Sequence, residues 1–107
     1  MKFEQFLQSL DDIGMTKCTS LSDYVKKFSY SDCNYVFITI WTNPRKCVIW
    51  ENLIILNGEI AVSERDYHQY DIDSEGNIVI TKLKELVKQY KQLKIELKKS
   101  ELNKDFV

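Results

Sequence analysis

The chain has 107 residues, 44 % of them hydrophobic and 29 % charged, with three Gly, one Pro and a formal net charge of −1. That length and mixture describe one ordered α+β-sized domain (1–107) with a single modest core, and they exclude disordered, fibrous and collagen-like classes. No apolar run reaches the roughly 20 residues a bilayer-spanning helix needs. The opening "MKFEQFLQSLDDIG" lacks the continuous apolar core of a secretory signal, so a cytoplasmic chain is expected. Thirteen of the fifteen basic residues are Lys, which argues against bidentate, Arg-based recognition of phosphates or bases.

In chain order, Phe3, Phe6, Leu7, Leu10 and Ile13 recur at helical spacing and Gly14 follows as a C-terminal cap, predicting a helix over 2–13. A second, shorter helix is predicted from Leu21 to Phe28, where Leu21, Tyr24, Val25 and Phe28 share one face and Ser20-x-x-Asp23 has the form of a capping box. The period then changes. "CNYVFITIW" and "KCVIWENLIIL" are β-branched and aromatic, and "TNPRK" between them puts Pro44 in a turn, so a hairpin is expected. Asn57-Gly58 between "LIIL" and "EIAV" predicts a tight second turn. "SERDYHQYD" reads as a linker and "NIVIT" as a fourth strand.

From Lys82 the helical period returns, with Leu83, Leu86, Val87, Tyr90, Leu93 and Leu97 in an arc of about 120°, to about Lys99 or Asn103. The expected architecture is α+β: one or two N-terminal helices, an antiparallel meander of three to four strands, and a long amphipathic C-terminal helix packed on the sheet. In "YVFITIW", Tyr35, Phe37, Thr39 and Trp41 alternate with Val36, Ile38 and Ile40, and neither set is polar. A strand apolar on both faces is covered on both, by its own helices or by a partner, so Tyr35, Phe37 and Trp41 are candidates for an aromatic binding face.

Charge is segregated along the chain. Residues 57–81 hold Glu59, Glu64, Asp66, Asp71, Asp73 and Glu75 against Arg65 alone, whereas residues 82–107 hold eight Lys against four acids. Two opposed surfaces are therefore expected. Glu64, Asp66, Asp71, Asp73 and Glu75 form an acidic one that suits a basic partner. Lys84, Lys88, Lys91 and Lys98 form a stripe on the last helix that suits a phosphate backbone.

"DIDSEGNIVITK" (71–82) has carboxylates on alternate positions and Gly76 at the sixth, like the first half of a calcium loop. Its twelfth residue is Lys82, where a bidentate Glu would have to close the shell, so a tight turn is expected and no metal. Cys18, Cys33 and Cys47 have no paired spacing and only His68 to join them, so free thiols are expected rather than zinc. His68 in "DYHQY" has no nucleophile motif, phosphate loop or metalloprotease motif beside it, so no catalytic residue and no cofactor is expected. No family motif stands in these residues. In size and composition alone the chain resembles small phage-encoded inhibitors of host defence systems. The expectation is a non-enzymatic inhibitor or adaptor that engages a host protein such as a defence nuclease or a ribonucleoprotein, in the manner of an anti-CRISPR. The alternative is a nucleic-acid-binding accessory protein that uses the lysine stripe, and a homodimer is compatible with either.

Overall fold

A computed structural model describes residues 1–18, 23–63 and 65–105, with side chains to Lys99. Helix α1 (Phe3–Ile13) ends on Gly14, whose left-handed φ of 94° lets its N–H reach back to the carbonyls of Leu10 and Asp11. Seven strands follow: β1 (Met15–Lys17), β2 (Val25–Tyr30), β3 (Ile38–Thr42), β4 (Arg45–Trp50), β5 (Leu53–Leu56), β6 (Glu59–Val62) and β7 (Tyr67–Asp71). Helix α2 (Ile72–Asp105) closes the chain. The main sheet is antiparallel throughout, in the order β1-β2-β3-β4-β7, and β5-β6 form a separate hairpin.

The α+β class and the long helix on the sheet are as expected, and there are more strands than expected. The helix predicted over Leu21–Phe28 is replaced from Val25 onward by β2, and its Ser20 box and Leu21 lie outside the described residues. Pairing decides this segment: Phe28 sits opposite Ile38 and Lys26 opposite Ile40, so long-range sheet contacts outweigh a short helical pattern. "KCVIWENLIIL" is two strands, because the chain leaves the main sheet at Glu51 and Asn52. Glu51 N–H donates to the Asp66 carbonyl at 2.7 Å and Ser63 N–H to the Asn52 carbonyl at 3.1 Å. "YHQYD" is the edge strand β7, not a linker, and an edge tolerates its polar residues on both faces.

"NIVIT" lies in the second and third turns of α2, not in a strand. Strand alternation would place Ile78 and Ile80 together, yet Ile78 is 49 % exposed while Ile72, Val79, Ile80, Leu83, Leu86, Val87 and Tyr90 form one buried helical stripe. Asp71 starts this helix. Its Oδ1 accepts the Asp73 N–H at 3.0 Å, and Glu75 Oε1 reaches back to the Asp71 N–H at 3.1 Å. This reciprocal cap satisfies donors that the first turn leaves orphaned. Gly76 lies inside α2, where Met1 packs so closely that a Cβ would stand 3.1 Å from the Met1 Cβ.

Both helices cover one face of the sheet. Phe28, Ile38, Ile40, Cys47 and Ile49 point into that layer and join Phe6, Leu10, Leu83 and Leu86 in one core. At 1.5 Å per residue, 34 residues make α2 about 51 Å long, which sets the long axis of a molecule measuring 54 × 27 × 26 Å. The second half of α2 runs past the sheet, and the β5-β6 hairpin packs on it through Leu53, Ile60 and Val62.

Candidate interaction surface

The strand register defines what lies on the other face of the sheet. Trp41 is opposite both Val25 and Lys46, Thr39 is opposite both Lys27 and Val48, and Trp50 is opposite Tyr67. All of these alternate with core residues, so they share the face that no helix covers among the described residues, with Trp50 half-buried and packed against the core. Trp41 is 37 % and Tyr67 57 % exposed, and the Trp50 and Tyr67 rings meet edge-on at 5.6 Å. Lys27, Lys46 and Gln69 frame this apolar centre. Bulky aromatics with a polar border match the usual make-up of a protein interface.

The predicted aromatic set is divided. Trp41 is on the open face. Phe37 precedes β3, is fully buried, stacks on Tyr30 at 6.3 Å and meets Tyr90 edge-on at 6.1 Å, so it is a core residue with no surface to offer. Tyr35 is half-buried in the same irregular stretch, where its carbonyl accepts the Ser29 hydroxyl at 2.6 Å. Alternation fails at both residues because regular pairing starts only at Ile38. The sequence leaves open whether Trp50 joins this face and places Tyr67 in a linker, since the register depends on where β4 leaves the sheet and on β7 being a strand.

The acidic residues do not form one surface. Glu64 lies outside the described residues. Asp66 immediately precedes β7 and Asp71 ends it, five residues or about 17 Å apart. Asp66 Oδ2 accepts from the Asn52 side-chain amide at 3.3 Å, and Asp71 and Glu75 cap α2. Asp73 pairs with Arg45 at 3.5 Å in an exposed contact. Structural work thus accounts for much of this acidity.

The basic stripe does form. Lys84, Lys88, Lys91 and Lys98 are exposed along one flank of α2, over 14 residues or about 21 Å, and among the described residues none pairs with a carboxylate. Two other lysines of α2 are engaged. Lys82 Nζ donates to Glu51 Oε1 at 3.1 Å, and Lys94 Nζ to Asp32 Oδ2 at 2.8 Å.

His68 belongs to the first of these clusters. Its Nε2 lies 3.5 Å from Glu51 Oε2, and the Tyr70 hydroxyl donates to Glu51 Oε1 at 3.3 Å. The hydrogen bond from Lys82 holds the Glu51 carboxyl below its ordinary range, and burial pushes the Tyr70 hydroxyl up. The cluster ties β7 to α2 through Glu51, whose carboxylate is already committed to Lys82 and the Tyr70 hydroxyl. The second cluster borders a groove of about 610 Å³ between the 32–34 turn, the β5-β6 turn and α2. There the Tyr90 hydroxyl and Lys94 both donate to Asp32, which holds its carboxyl down to about 2. Among the described residues no group of three or more His, Cys, Asp or Glu is placed to hold a metal ion, and no helix is long and apolar enough to cross a membrane. No protein-family model, no curated protein and no solved structure matches the chain.

Proposed function

We propose that the chain is a non-enzymatic protein-binding module, an inhibitor or adaptor whose partner docks on the open face of the five-stranded sheet. The supporting observation is that face itself: Trp41, Trp50 and Tyr67 around Val25, Thr39 and Val48, with α1 and α2, the helices among the described residues, on the other side. Rigid aromatics on paired strands lose little side-chain entropy on binding and carry much of the energy where they occur in interfaces. Lys27, Lys46 and Gln69 at the border give such a partner register.

The unpaired lysine stripe favours a second reading, in which a nucleic acid lies along α2. One set of variants separates the two. Trp41→Ala with Tyr67→Ala removes the stoichiometric partner recovered by affinity purification from the native host, while Lys88→Glu with Lys91→Glu leaves it. If instead the chain retains labelled RNA or duplex at low salt, releases it steeply as salt rises and loses it on charge reversal, the nucleic-acid reading replaces the first. Recovery of an undiminished partner by the aromatic double variant removes the open face from the function.

A further inference from the structure

Among the described residues there are four strand edges, and three of them are guarded. β1 is only three residues long and ends on Lys17. β7 carries His68, Gln69 and Asp71. β6 is approached by the 32–34 turn, where the Cys33 thiol donates to the Ile60 carbonyl at 3.8 Å. Short strands, charged residues and covering loops are the devices by which sheet edges avoid pairing with other chains. The fourth edge, β5, is Leu53-Ile54-Ile55-Leu56, with no charge, no Pro and no bulge, and Ile54, Ile55 and Leu56 are 41 %, 42 % and 50 % exposed.

The hairpin register fixes which backbone groups this edge offers. The Ser63 N–H bonds to the Asn52 carbonyl, so Asn52 and Ser63 form a hydrogen-bonded pair, and by alternation so do Ile54 with Ala61 and Leu56 with Glu59. The backbone groups of Leu53 and Ile55 therefore point outward. Leu53 N–H is taken by the Gln89 Oε1 of α2 at 3.0 Å. Ile55 N–H and C=O have no partner among the described residues.

We propose that β5 pairs antiparallel with β5 of a second copy, on a two-fold axis through Ile55. A two-fold pair places Ile55 opposite the partner's Ile55, exchanges both N–H···O bonds between them, and sets Ile54 against the partner's Leu56. The alternative axis through Ile54 needs Leu53 N–H, which Gln89 occupies. The helices fit the same arrangement. Each hairpin rides on its own α2, so two strand spacings separate the helices by roughly 10 Å, the distance at which helices pack. The flank of α2 on the β5 side carries Glu85, Lys88, Gln89 and Gln92, one charge of each sign and two amides, so an antiparallel copy meets no net repulsion.

Sedimentation equilibrium over a range from micromolar to millimolar tests the contact. The expected result is a concentration-dependent monomer–dimer equilibrium. Ile55→Pro removes an N–H that the hairpin does not use, so it abolishes the dimer while leaving the monomer's circular dichroism unchanged. Ile55→Cys tests the register without the backbone change that Pro makes. Opposed residues in a hydrogen-bonded pair lie about 5.5 Å apart, within disulfide reach, so mild oxidation yields a covalent dimer. Ile54→Cys gives none above the level of the unsubstituted chain, because its two-fold mate lies roughly 8 Å away, beyond disulfide reach. A chain that stays monomeric throughout overturns the proposal, even if β5 then takes up a foreign strand. So does a dimer indifferent to Ile55→Pro.

Discussion

Single residues in this chain are tuned mostly for holding elements together. Asp32 has its carboxyl drawn down to about 2, first by the hydrogen bond from Lys94 and then by that from the Tyr90 hydroxyl. A carboxylate with a depressed folded pKa lends stability above its unfolded value near 3.9 and loses it as pH falls through the folded one. The tie between the 32–34 turn and α2 is therefore intact at neutral pH and releases between about pH 4 and pH 2. Carboxyl NMR titration should give a midpoint near 2 for Asp32, and Lys94→Met should move that midpoint up toward the ordinary range. A midpoint that ignores the Lys94 substitution would break the assignment. The thiols differ for the opposite reason: burial pushes Cys47 up to about 12 and raises Cys33 as well. Cys47 is fully buried against the core, so it should resist alkylation at pH 8 until the chain unfolds.

At the scale of elements, the stretch from Asp71 to Lys82 carries the main lesson about reading the sequence. Alternating acids and a glycine look like a turn, and "NIVIT" looks like a strand, because β-branched residues and short periods dominate a local reading. The helical stripe through Ile72, Val79, Ile80, Leu83 and Val87 was present in the same letters, and Asp71 with Glu75 is a start signal four residues apart rather than three. Capping and burial against the sheet together outweigh the strand preference of three isoleucines and a valine. α1, the Asn57-Gly58 turn and the later part of α2 were legible because each has a long period or a Gly at a positive-φ position, and the β3–β4 turn was marked by Pro44. β7 and the register of β4 were not, since an edge strand has no apolar alternation to declare it. The cap can be measured. Asp71→Ala should cost about 1 kcal/mol in urea unfolding, and Asp71→Asn only a fraction of that, since Asn also caps. Equal losses for the two would mean that charge, through Lys46 across the strand pair, matters more than the cap.

At the scale of the molecule, two surfaces with different demands sit on different elements. The open face belongs to the five-stranded sheet, and the β5 edge belongs to a hairpin carried by α2, so neither contact uses the residues of the other. If both proposals hold, pairing at β5 presents two open faces in one particle, and a partner with two or more copies of its site binds the dimer more tightly than the monomer without any new contact. The dependence is testable because the two surfaces can be broken separately. With the partner in hand, light scattering should give a two-to-two complex for the native chain at concentrations where it dimerises, and a one-to-one complex for Ile55→Pro. The affinity of a single monovalent face, measured on immobilised Ile55→Pro, should match that of the native chain below its dimerisation range, and Trp41→Ala should weaken both by at least tenfold, as expected for a central aromatic anchor worth above 1.4 kcal/mol. An Ile55→Pro chain that binds its partner worse even as a monomer would place β5 inside the partner site and merge the two surfaces into one.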